Sequence, residues 1–251
     1  MYQVGIDIGS SAAKAAVMKE GEIVKTLFRP TGFSSIQTAE EIYRQLEGEG
    51  ISRENARYVA TGYGRVSVPY ADDTVTEITC HGKGAWWLFR EDGTVIDIGG
   101  QDTKGIQLKR GRVMKFMMND KCSAGTGKFL EVMTSRLGVT QDELSALARQ
   151  GNPVTISSMC TVFAESEVIS LIGKGTPRED IAYGVTESVI TKVVQLIAQV
   201  PASQYFLTGG LCEDAYIRER LELALGAPVK TMPMARYAGA VGAAILAEEE
   251  Q

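Results

Sequence analysis

Apolar positions open the chain in short runs and later recur at helical spacing. Val4 to Ile8 reads as a buried strand that ends in the turn Gly9-Ser10-Ser11. Ala12 to Met18 reads as a second strand. Glu20-Gly21 then turns into a third at Glu22–Arg29, giving a β-meander with short connections. Thr38 to Leu46 is a predicted helix, with Ile42 and Leu46 spaced for one face. Arg57 to Thr61 is a short strand closed by Gly62-Tyr63-Gly64, and Glu77 to Phe89 is a helix.

The opening pattern then returns. Ile6-Asp7-Ile8-Gly9 recurs as Ile96-Asp97-Ile98-Gly99, 90 positions later, and Lys14 recurs as Lys104 at the same offset. An apolar strand and a turn follow both copies, at Glu20-Gly21 and at Lys109–Gly111. One repeat of a strand–turn–strand unit predicts two similar subdomains.

Helical periodicity dominates what remains. It predicts helices over Thr126–Leu137, Gln141–Arg149, Val162–Ile172, Arg178–Ile197 and Ala215–Leu225, with Thr140 and Glu143 forming a capping box. One strand, Gln204–Leu207, runs into Gly209-Gly210. The last helix carries Ala238, Gly239, Ala240, Gly242, Ala243 and Ala244, small residues that permit close helix approach. The expected fold is α/β in two subdomains. The first is 1–76, with the C-terminal helix 235–251 packing back on it; the second is 77–234.

Composition narrows the function. The 251 residues include 26 basic and 31 acidic side chains, a formal charge of −5. An acidic chain without a basic run argues against a nucleic-acid ligand. No apolar run approaches the ~18 residues of a membrane span, and the first residues lack the basic start and long apolar stretch of a secretory signal. The expected compartment is the cytoplasm, where thiols stay reduced, so the four cysteines suggest packing, metal binding or redox chemistry before disulfides. A single histidine excludes a site built from several imidazoles of one chain. Glycine is in excess at 27 residues, and no period-three repeat accounts for it.

Part of that glycine follows an acid at a strand end. Such a turn suits a metal–phosphate ligand: glycines let backbone N–H groups approach phosphate oxygens, while the carboxylate holds Mg2+, usually through water. Two such turns, Asp7 with Gly9, Ser10 and Ser11, and Asp97 with Gly99, Gly100, Gln101 and Asp102, could grip one triphosphate from opposite sides. Gly209-Gly210, after a strand and before a helix, would admit an adenosine against the backbone. Gly125-Thr126-Gly127-Lys128 imitates the end of a Walker A loop. Cys122 and Phe129 stand where that motif needs Gly and Ser or Thr, so it is a decoy.

These residues resemble the phosphate-1, phosphate-2 and adenosine motifs of the actin, hexokinase and 70-kDa heat-shock ATPase fold, a duplicated ribonuclease-H-like architecture around a nucleotide cleft. The resemblance implies ATP and Mg2+ as ligands, with Asp7 and Asp97 in catalytic roles and Lys14 beside the first turn. It also makes Glu77 a candidate for orienting the hydrolytic water. A helix N-terminal carboxylate favoured by the dipole is the alternative for Glu77.

Two cysteines add a second chemistry. Cys122 and Cys160 each stand at the start of a predicted helix. The dipole and free N–H groups there favour a thiolate and would stabilise an anionic iron–sulfur cluster. A cubane cluster usually takes four thiolates, so two such cysteines per chain would require a symmetric dimer. The alternative is a pair of buried free thiols.

Asn119-Asp120-Lys121-Cys122-Ser123-Ala124-Gly125-Thr126-Gly127 and Cys160-Thr161-Val162-Phe163-Ala164-Glu165-Ser166-Glu167 closely resemble the activator component of 2-hydroxyacyl-CoA dehydratases, and the ATPase subunits of benzoyl-CoA reductase look similar. The likeness extends to Glu77-Ile78-Thr79-Cys80-His81 and the small-residue last helix. It implies a homodimer with one [4Fe-4S] cluster held between subunits by Cys122 and Cys160. ATP hydrolysis would swing the cluster-facing helices, and a low-potential electron would pass to a dehydratase or reductase partner. A ferredoxin or flavodoxin would be the donor. Cys80 and Cys212 do not match ligand positions, and His81 reads as structural. The rival expectations are a small-molecule (sugar) kinase of the same fold without a cluster, and a non-enzymatic nucleotide-dependent interaction module.

Overall fold

The computed structural model describes residues 1–156 and 160–249. Residues 157–159, just upstream of Cys160, and 250–251, the end of the predicted last helix, lie outside the described residues. The chain folds as two compact units. The first is Met1–Asp92, Leu108–Lys115 and Pro233–Gln251; the second is Gly93–Gln107 and Phe116–Met232.

The first unit begins with the meander β1 (Tyr2–Ile8), β2 (Ala12–Lys19) and β3 (Glu22–Pro30). Helix α1 (Ser35–Gly48) follows, with Ser34 accepting from the Gln37 N–H as its N-cap. Then come β4 (Ala56–Thr61), the two-residue β5 (Asp73–Thr74) and α2 (Glu77–Phe89). The sheet order is β3-β2-β1-β4-β5, with β1 antiparallel to β2 and parallel to β4.

The remaining elements are β6 (Gly93–Ile98), β7 (Thr103–Lys109), β8 (Arg112–Asn119), α3 (Gly127–Leu137), α4 (Gln141–Ala148), α5 (Thr161–Gly173), α6 (Arg178–Ile197), β9 (Tyr205–Gly209), α7 (Ala215–Leu225), β10 (Val229–Lys230) and α8 (Ala238–Glu249). The second sheet runs β8-β7-β6-β9-β10, with β6 parallel to β9 and β9 to β10. It repeats the first order with β6 in the place of β1. The duplication read from two tetrapeptides therefore extends to whole sheets.

Sheet one is covered on both faces, which is why its central strands are mostly apolar. Val4, Ile6 and Ile8 pack with Ile42 and Leu46 of α1, and Ala16 and Met18 pack with Ala240, Val241 and Ala244 of α8. In the second unit the predicted apolar stripe of α3, Phe129, Leu130, Met133 and Leu137, is buried as expected from its spacing.

The structure groups α2 with the first unit, whereas the sequence division fell just before it at 76/77. The reason is backbone contact with α8: a Cβ on Gly84 would fall 1.9 Å from Ala238 O, and one on Gly242 would fall 1.8 Å from Cys80 O. Glycine alone allows that approach. Residues 233–251 also belong to the first unit.

Candidate functional site

Each unit carries one acid turn of the same design. Asp7 is the penultimate residue of β1 and Asp97 that of β6. Gly9 N–H donates to Ala12 O at 3.1 Å, and Gly99 N–H donates to Asp102 O at 2.9 Å, closing equivalent turns. Lys14 is the cross-strand partner of Asp7, its Nζ 3.8 Å from Oδ2. Lys104 is 1% exposed, 3.4 Å from Asp97 and 2.7 Å from Asp102. The repeated lysines thus neutralise the repeated acids.

A second glycine faces each acid, and in the first unit the sequence reading missed it. Gly62, after β4 at φ +86°, would place a Cβ 2.4 Å from Asp7 Oδ1; Gly209, ending β9 at φ +83°, would place one 2.7 Å from Asp97 Oδ1. Gly64 N–H donates to Ile8 O, and Gly210 N–H to Ile98 O. Only glycine tolerates both the left-handed φ and the contact. The signal was present as Thr61-Gly62 and Thr208-Gly209, but their separation differs from 90 positions, so a search at constant offset passes over it.

The two acids differ in one respect. Thr208 Oγ1 donates to Asp97 Oδ1 at 3.0 Å. At the matching positions of the first unit Asp7 Oδ1 has no hydrogen-bond partner among the described residues, and the Thr61 hydroxyl faces the Cys80 thiol instead of the acid. Asp7 is 2% exposed. A buried carboxylate oxygen with no partner costs free energy unless a ligand, ion or water meets it. Asp7 Oδ1 beside the Gly62 cradle fits a hydrated divalent cation of the kind that accompanies a nucleotide.

Gly9, Ser10, Ser11 and Lys14 share the Asp7 hairpin, and Thr31 Oγ1 donates to Gly9 O at 2.7 Å, bracing it. Gly100, Gln101 and Asp102 share the Asp97 hairpin. Glu77 is half-buried at the first position of α2, where the dipole favours a carboxylate. Cys80, one turn on, is buried; burial pushes its thiol up to about 12, opposed mainly by the Thr61 hydroxyl and reinforced by the charges of Asp7 and Glu77. It stays a neutral thiol.

The cysteines expected to act as ligands lie in the second unit, and both are half-buried thiols outside any disulfide. Cys160 is the N-cap of α5, as its sequence position suggested. Cys122 is not at a helix start; α3 begins at Gly127, with Thr126 as N-cap. The intervening loop is organised by Asn119, whose side-chain N–H groups donate to Cys122 O and Ala124 O at 2.9 and 3.1 Å. Ser123 Oγ and Thr161 Oγ1 stand 2.7 Å apart, so the two cysteine-bearing segments meet.

That loop is also tied to the Asp97 turn. At the start of α3, Gly127 N–H donates to Gly99 O at 2.9 Å and Lys128 N–H donates to Gly100 O at 2.8 Å. The Lys128 ammonium pairs with Glu131 instead of serving as a Walker lysine. Among the described residues no helix is long and apolar enough to cross a membrane.

A family model described as the BadF/BadG/BcrA/BcrD ATPase family matches residues 4–247. The chain is 43% identical to the (R)-2-hydroxyglutaryl-CoA dehydratase activating ATPase of Acidaminococcus fermentans, over 98% of this chain and 97% of that protein. It is 32% identical to a subunit of benzoyl-CoA reductase from Thauera aromatica, over 96% and 91%. The solved activator of the 2-hydroxyisocaproyl-CoA dehydratase from Clostridium difficile with bound ADPNP superimposes with a TM-score of 0.92 at 36% identity, covering 100% of this chain and 95% of that one. A ROK family glucokinase from Streptomyces griseus shares the fold at a TM-score of 0.61 and 16% identity, over 99% and 100%.

Proposed function

Because the chain belongs to the BadF/BadG/BcrA/BcrD ATPase family, we propose that it is an ATP-hydrolysing activator that drives a low-potential electron from a [4Fe-4S] cluster to a 2-hydroxyacyl-CoA dehydratase or related reductase. The observation that carries the reading is the hydrogen-bonded path Gly99/Gly100 to Gly127/Lys128 to the Cys122 loop, and across Ser123 to Thr161 beside Cys160. A phosphate turn and a thiol pair are linked within one unit, which a sugar kinase has no use for.

The chain's residues divide the work. The backbone N–H groups of Gly9–Ser11 and Gly99–Gln101 bind phosphate oxygens, and Gly209-Gly210 leave room for the adenosine. Asp7, through its open Oδ1, and Asp97 would hold Mg2+, which when bound neutralises phosphate charge. Glu77 orients the attacking water. Loss of the γ-phosphate removes contacts at Gly99 and Gly100 and alters the hydrogen bonds that these residues make to the start of α3.

Cys122 and Cys160 would hold the cluster, two thiolates from each of two copies, and the bound cluster supplies a one-electron carrier. Val162 and Phe163, 65% and 62% exposed beside Cys160, are apolar side chains that a second copy would cover. The reading places the protein in the cytoplasm, with a ferredoxin or flavodoxin as donor.

The test is electron delivery. Reduced, reconstituted protein is mixed with a 2-hydroxyacyl-CoA dehydratase, and the reduced-cluster EPR signal is followed. It should disappear only when ATP is present; a signal that persists with ATP, or decays equally without it, contradicts the proposal.

A further inference from the structure

His81 is the chain's only histidine, and the chemistry above gives it no task. It is 3% exposed and lies on α2 one turn beyond Glu77, on the same face. Backbone contacts fix where α2 can lie. Gly84 and Gly242 bring α2 against α8, and Gly5 brings β1 against α8, since a Cβ there would fall 1.8 Å from Ala240 O.

Gly239 sits within this contact. A Cβ on it would meet Asp7 Oδ2 at 2.7 Å, His81 Cε1 at 2.9 Å and His81 Nδ1 at 3.1 Å. The carboxylate and the ring therefore flank one Cα, with Oδ2 and Nδ1 within about 6 Å of each other, the span of one bridging water. A buried imidazole is retained at a cost that an apolar side chain of similar volume would avoid.

We propose that His81 is a positioning residue for ATP hydrolysis: its imidazole orients the Asp7 carboxylate, and the water that carboxylate holds, so that Oδ1 stays turned to the nucleotide. The inference rests on the reading of Asp7 as the nucleotide-side acid.

The test compares His81→Leu, which keeps the volume, with His81→Gln, which keeps a hydrogen-bonding arm. ATP hydrolysis is measured with saturating Mg2+, nucleotide affinity by ADP calorimetry, and folding by circular dichroism. The expected result is that His81→Leu binds ADP within threefold of the parent, with KM unchanged and kcat at least tenfold lower, and that His81→Gln recovers a third or more of parental kcat. A packing role predicts the opposite ranking. Folded His81→Leu with kcat within threefold of the parent overturns the inference, as does a Gln variant no better than Leu. If the Leu variant does not fold, a tenfold loss of kcat in His81→Gln overturns it and retention within threefold supports it. A parent that hydrolyses no ATP overturns the functional reading itself, and this inference with it.

Discussion

Ser123 Oγ and Thr161 Oγ1 form a hydrogen bond of 2.7 Å across 38 positions of sequence, and each residue directly follows a cysteine. The two thiol-bearing segments are therefore docked before any metal arrives, which lowers the ordering cost of binding one.

Thr161→Val removes that bond and leaves both cysteines in place. Loss of about 1 kcal/mol corresponds to roughly fivefold faster release of iron to a chelator. Cys160→Ser should abolish iron binding while ADP affinity stays within threefold of the parent, read by calorimetry. Equal loss of nucleotide binding would show that Cys160 acts through folding.

The repeated acids should respond differently to the same change. Thr208→Val removes the hydroxyl that donates to the buried Asp97 Oδ1 and should cost about 1–3 kcal/mol in urea unfolding. Thr61→Val removes a hydroxyl that faces the neutral Cys80 thiol and leaves the acid's contacts unchanged, so it should cost less than about 0.5 kcal/mol. Equal costs would mean that the asymmetry is not real.

Much of this site was legible in the chain because it is local. An acid at a strand end with glycine two residues on is one turn's chemistry, and the copy at Asp97 needed only a fixed offset. Gly62 escaped because the helices inserted between β8 and β9 change the spacing in the second half. Strands β5 and β10, two residues each, are too short to show a period. Cys122 lies four residues before the predicted helix Thr126–Leu137, and the loop between them is not visible in a periodicity. The true cap is Thr126, whose N–H and hydroxyl both donate to Ser123 O and delay the first turn. No pattern reveals that His81 and Asp7 both lie against Gly239, since that depends on how closely α8 approaches α2 and β1.

That approach is directly testable. Gly242→Ala puts a methyl onto the Cys80 carbonyl and should destabilise by about 3 kcal/mol, because backbone on both sides cannot yield. Gly48→Ala, in a helix with open space around it, should instead stabilise by roughly 0.5 kcal/mol. Thermal unfolding of both variants decides, and similar signs would count against the packing described.

Cys80 gives a pH signature. Its folded value, pushed up to about 12 by burial, lies above the ordinary value of 9.0 expected once unfolded. Its contribution is therefore fully present below pH 9 and is lost as pH rises from there toward 12. Parent and Cys80→Ala should differ in urea midpoint more at pH 8 than at pH 10.5. A constant difference would mean that the thiol is not shielded. In the native protein iodoacetamide should label Cys122 and Cys160 and spare the buried Cys80 and Cys212.

The central claim is that two chains share one thiolate-held cluster, and iron content measured together with mass tests it most directly. Protein reconstituted without oxygen and run through size exclusion with light scattering should elute as a dimer carrying about four irons, or two per chain. Iron-free monomer that still hydrolyses ATP would contradict it.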